Sequence, residues 1–89
     1  MKLYQVILSK FDGSDDNLYT EAYPPTDNEK VERIRFDEII EAEMEEARGE
    51  ADHPDSLEPY EGHNYFGLTY YRNGASQVIQ VMFKEFNER

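Results

Sequence analysis

The sequence predicts a small α+β fold: a mostly antiparallel sheet of four to five strands with one acidic helix packed on one face. Three observations lead there. An Asn73-Gly74 pair sits between two β-rich runs, an apolar run spans residues 3–11, and a Glu-rich segment with helical apolar spacing follows residue 36. At 89 residues the chain is expected to form one domain, 1–89. Only 38% of it is hydrophobic, so the core must lean on the seven Tyr and five Phe.

The C-terminal hairpin is the clearest element. Asn-Gly favours a two-residue type I′ turn, in which both residues take positive φ. Such a turn pairs Arg72 with Ala75, and the register follows: Tyr70 opposite Gln77, Leu68 opposite Ile79, Phe66 opposite Val81. Strands are expected at about 65–72 and 75–86.

Residues 3–11 read as another strand. Leu3, Ile7 and Phe11 point one way and Tyr4, Val6 and Leu8 the other, so both faces are largely apolar and a central place in the sheet is expected. Leu18 to Tyr23 can pair back on it across the polar segment Asp12 to Asn17. Pro24-Pro25 ends that strand, because neither proline donates to a ladder.

The middle of the chain carries conflicting signals. Thr26-Asp27-Asn28-Glu29 matches a capping box, which starts a helix near Asp27. A continuous helix from there to Arg48 would put Val31 and Ile34 on the face opposite Phe36, Ile40, Met44 and Ala47. The expectation is therefore a break: a strand or short helical turn over 30–36, then a helix from an Asp37 N-cap to Arg48, with Gly49 as its C′ residue. On that helix Phe36, Ile40, Met44 and Ala47 face the sheet. Glu38, Glu41, Glu45 and Glu46 face outward, and Glu43 sits near the boundary. Residues 49–64 show no periodicity and are expected to form one long acidic loop.

Charge is concentrated. The net charge is −11, yet residues 37–61 alone hold eleven acids against the single base Arg48, and the remainder is nearly neutral. Such a segment repels nucleic acid and anionic lipid, and it attracts cationic protein surfaces. The short N-terminal apolar run fits neither a signal peptide nor a spanning helix, so the protein is expected in the cytoplasm and away from membranes. Absent cysteine removes disulfides, thiolate nucleophiles and thiolate zinc sites, and agrees with a reducing compartment.

Catalytic chemistry finds little to build on. Asp12, Ser14 and Asp16 have the alternating spacing that opens an EF-hand loop. Asn17 then replaces the sixth-position glycine and Tyr23 the twelfth-position glutamate, so a polar turn is expected instead. His53 and His63 lie among loop acids without a recognised ligand spacing. No serine sits in a nucleophile elbow and no glycine-rich phosphate loop exists. Neither metal, cofactor nor enzymatic activity is expected.

Binding remains. Glu38, Glu41 and Glu45 span about 10 Å of helix axis, a spacing that roughly imitates a row of phosphates. Glu46, Asp52, Asp55, Glu58 and Glu61 extend the acidic surface, and Tyr60, with Tyr65 and Tyr71, adds aromatic contact area. In size, acidity and missing catalytic motif the chain resembles the inhibitors of phages and mobile elements, such as uracil-DNA glycosylase inhibitors and anti-CRISPR proteins. That likeness implies an acidic, nucleic-acid-mimicking inhibitor that blocks a basic site on a partner protein; no family motif is present and no residue role carries over. The alternative is an accessory or adaptor subunit that binds protein through a sheet edge and a Tyr-rich loop. A homodimer through an exposed edge strand is a third reading.

Overall fold

The Asn73-Gly74 turn adopts the expected left-handed backbone, with φ of 52° and 78°, and the strands it joins pair in the expected register from Arg72 opposite Ala75 outward. The structure, a computed structural model, describes residues 1–88. It comprises β1 (Lys2–Asp12), β2 (Asn17–Ala22), α1 (Glu29–Glu50), a single 3-10 turn (Pro54–Ser56), β3 (Tyr60–Glu61), β4 (Tyr65–Arg72) and β5 (Ala75–Asn87). The strands form one antiparallel sheet in the order β2-β1-β5-β4-β3. One helix and a small antiparallel sheet make the fold α+β, as the sequence predicts.

β1 lies between β2 and β5, the central place the sequence predicts. The turn from β1 to β2 is held by Asp12, whose carboxylate accepts from the Ser14 backbone at 2.9 Å and the Ser14 hydroxyl at 2.6 Å. Gly13 donates to the Ser76 carbonyl at 2.7 Å, pinning this turn to the start of β5. A Cβ at residue 13 would stand 2.6 Å from that same oxygen, so only glycine fits.

The helix corrects the expected break. It runs unbroken for 22 residues, and its cap is Asn28, whose side chain accepts from the Val31 backbone at 3.1 Å. Asp37 lies inside it rather than capping it. Thr26 does not cap the helix; its hydroxyl accepts from the Asn28 backbone at 3.3 Å and donates to Glu32 at 3.2 Å. Val31 and Ile34 are not buried on a second face: they stay 45% and 49% exposed. The stripe that does face the sheet is Glu32, Phe36, Ile40, Glu43 and Ala47, in helical spacing throughout, with Ile39 and Met44 packed against the core on either side of it. Two of its members are acids, which is why the apolar pattern alone suggested a break. Gly49 is likewise helical; the chain leaves the helix at Ala51, whose N–H still donates to the Ala47 carbonyl at 2.9 Å.

The 49–64 connection is shorter and more ordered than expected. Its first two residues belong to α1, the 3-10 turn occupies 54–56, and Tyr60 and Glu61 add an edge strand to β4 opposite Gly67 and Phe66. Leu57 packs against the core from this segment. A two-residue strand carries too short a pattern to read.

The core lies between α1 and one face of the sheet. Val6 and Leu8, Phe66 and Leu68, and Ile79, Val81 and Phe83 meet Phe36 and Ala47 there. Phe36 and Phe83 pack edge to face with centroids 6.0 Å apart, a favoured aromatic geometry. Arg33 lies across the Phe83 ring, 3.7 Å from its centroid, and donates to the His63 carbonyl at 2.6 Å and to Asn64. No helix among the described residues is long and apolar enough to cross a membrane.

Candidate protein-binding surfaces

The outer surface of α1 carries Glu38, Glu41 and Glu45 in an exposed stripe, with Asp37 beside them. Among the described residues none of these four has an ion-pair partner. Their N-terminal neighbours in the same stripe are the exposed Val31 and Ile34, so the ridge is apolar at one end and acidic along the rest.

The flank of the helix that faces β1 behaves differently. Lys10 reaches across to Glu43 at 2.7 Å and Glu46 at 3.3 Å. Burial pushes the Lys10 ammonium down, but the two carboxylates outweigh it and the net shift is upward. Glu46, an expected contact residue, thus has part of its charge answered inside the fold. Further along, Arg72 bridges Asp12 at 2.7 Å and Glu50 at 3.4 Å, while Tyr70 donates its hydroxyl to Glu50. Hydrogen bonds from Ser14 and Gln77, with Arg72 adding its charge, hold the Asp12 carboxyl well below the usual carboxylate range. Burial and the Glu50 contact push the Tyr70 phenol up.

Asp52 is also committed internally. It accepts the backbone N–H of Gly74 at 2.8 Å and of Asn73 at 2.7 Å, and these bonds lower its carboxyl pKa. Asp55 sits in the exposed 3-10 turn. Glu61 and Glu58 part company: Glu61 lines a groove with Asp37 and Glu41 of α1, whereas Glu58 stands beside Tyr60 and Tyr65 at the rim of the opposite sheet face. Arg33, Arg48 and His63 share the first groove, so it is mixed in charge. The structure thus gathers Glu38, Glu41, Glu45 and Glu61 on one side of the molecule and does not join Asp52, Asp55 or Glu58 to them.

The sheet face turned away from the helix was not singled out by sequence. Pairing places Leu3, Ile7 and Phe11 of β1 beside Phe86, Met82 and Val78 of β5 on that face. Tyr65, Tyr71 and Tyr60 extend it across β4 and β3. Tyr60 is 66% exposed and Tyr71 57%, and Tyr60 leans on Tyr65 with centroids 5.8 Å apart. Tyr60 and Tyr65 thus sit together, while Tyr71 lies six residues further along β4, about 20 Å away; all three are on the sheet rather than on the helix side. The signal was legible in principle, since both strand runs are apolar on alternate residues of both parities.

Among the described residues no group of three or more His, Asp or Glu is placed to hold a metal ion. His63 instead has its Nε2 3.0 Å from the Arg33 guanidinium. In comparisons with known proteins, the chain matches no family model, no curated protein and no solved structure.

Proposed function

We infer that the protein is a non-catalytic binding protein that occupies a basic, nucleic-acid-binding surface on a partner protein, acting in the cytoplasm as an inhibitor of the kind phages and mobile elements carry. One observation carries this reading: Glu38, Glu41 and Glu45 face solvent in a single stripe and, among the described residues, none of them is in an ion pair. A surface built for phosphates accepts carboxylates spaced along a rigid helix, and the encounter is steered by charge. The exposed Val31 and Ile34 at the end of the stripe add apolar contact that a purely solubilising acidic face does not need.

The test is competition. Basic proteins captured from the host, or from its phage-infected counterpart, are challenged with duplex or single-stranded nucleic acid at low and moderate salt. The reading expects mutual displacement, weakening with salt, and loss of capture when Glu38, Glu41 and Glu45 are together changed to Lys. A protein that binds such partners yet never competes with nucleic acid is no mimic. The second reading, an adaptor that binds through aromatic surface, is favoured by the exposed Tyr60 and Tyr71; it expects capture that survives both salt and the triple substitution.

A further inference from the structure

A five-stranded sheet has two faces, and the single α-helix among the described residues covers one. The other face is unusual for a surface meant for water. Solvated faces of antiparallel sheets alternate with the buried face as polar against apolar, yet here Leu3, Ile7 and Phe11 lie directly beside Phe86, Met82 and Val78. These apolar rows are separated by the uncharged row of Ser9 and Gln80 and by Gln5 beside Lys84.

Charge makes the face more distinctive. The chain carries −11, yet among the described residues Lys84 is the only charged side chain at the strand positions of this face. Glu58 is the acid at its rim. Two copies that approached through their helices would set carboxylate against carboxylate. Through their open sheet faces they meet with no carboxylate at a strand position, and with Glu58 only at the rim. The size also suffices: strands of 11, 6, 2, 8 and 13 residues, at about 3.3 Å per residue and about 4.8 Å between strands, present on the order of 600 Å², at the lower end of the share each partner contributes to a standard interface.

We propose that the open face of the sheet binds a second copy of this chain, sheet against sheet, in a twofold dimer. Ile7 and Met82 form the middle row of the face and pack against their symmetry mates, and the acidic helices end on opposite outer surfaces. Lys84 lies one row off centre, so the two lysines are not forced together. Such a dimer forms whether or not the helix acids have a partner, and its salt dependence has the opposite sign. Salt screens the repulsion between two −11 chains and so strengthens a dimer held by uncharged contacts, whereas it weakens capture of a cationic partner.

Sedimentation of the full chain tests this at about 50 mM and about 500 mM NaCl. The expected result is a dimer whose association tightens with salt. Ile7→Glu and Gln80→Glu each weaken association by at least about tenfold, and Glu41→Lys leaves the dimer intact. Gln80→Glu is nearly isosteric at a half-exposed position, so it keeps the fold even if Ile7→Glu does not. A chain that stays monomeric up to about 1 mM at both salts overturns the proposal. So does a dimer indifferent to both sheet substitutions, which would place the contact on the β2 or β3 edge, and so does a monomer whose sheet face captures a foreign protein.

Discussion

Asp52 Oδ2 accepts the backbone N–H of Gly74 at 2.8 Å, so the first residues after the helix clasp the tip of a hairpin more than twenty residues further on. With the matching bond to Asn73, the carboxylate satisfies both N–H groups of the turn's left-handed pair. Asp12 plays a comparable part at the other turn, gathering Ser14, Gln77 and Arg72. Two acids of a strongly acidic chain are thus structural.

Acid should expose that role. The Asp12 and Asp52 carboxyls are held below their ordinary values by hydrogen bonds that form only in the fold. Their contribution is present above the unfolded value of about 4 and is lost as pH falls through the lowered folded values. The gap in thermal midpoint between wild type and Asp12→Asn/Asp52→Asn should be widest near neutral pH and shrink below about pH 4. Melting curves across that range check it; a gap that grows in acid would reverse the assignment.

The unbroken helix makes neighbouring apolar residues unequal. Phe36 is buried against Phe83, so Phe36→Ala should cost about 3–4 kcal/mol. Ile34, half exposed two residues earlier, should change stability by no more than about 0.5 kcal/mol when made Ala. Urea titration of the two variants separates this helix from a chain broken at Asp37, in which Ile34 would be buried.

Two glycines should respond with opposite signs. Gly49 is helical, and a methyl group added there meets nothing within 4 Å, so Gly49→Ala should stabilise by about 0.5–1 kcal/mol. Gly13 faces the Ser76 carbonyl, and Gly13→Ala should destabilise by about 2 kcal/mol or more. Thermal melts of both variants decide it.

Arg33 ties the helix to the segment before β4 through His63, Asn64 and the Phe83 ring. Arg33→Gln removes the stacking and most of the fork, at an expected cost of about 1–2 kcal/mol. Arg33→Lys keeps the charge but not the planar fork, and should recover only part of the loss. Equal stability of all three proteins in urea would show that the contact contributes nothing.

Elements that rest on neighbouring residues were readable directly. Asn73-Gly74 specifies its own backbone conformation, and once the turn is placed a period of two aligns Leu68 with Ile79 and Phe66 with Val81. β1 announced its central position through apolar residues of both parities, and Phe36, Ile40, Met44 and Ala47 announced the buried side of the helix. What stayed hidden depends on distant partners. Glu32 is fully buried in the helix stripe, with the Thr26 hydroxyl and the Arg35 guanidinium beside its carboxylate. Glu43 is sheltered because Lys10 arrives from a strand more than thirty residues away.

The same distinction governs the surface. Composition and spacing suffice to say that the chain is acidic and that one helix carries a line of glutamates, since charge and a 3.6-residue period are local properties. Which carboxylates remain free for a partner is a question of proximity in space: Lys10 claims Glu43 and Glu46, Arg72 claims Asp12 and Glu50, and a hairpin tip claims Asp52. Glu38, Glu41 and Glu45 are left because no cation of the described residues closes an ion pair with them, although Arg33 and Arg48 share a groove with Glu41, and the second apolar face of the sheet is left because the described residues supply one helix to cover two faces.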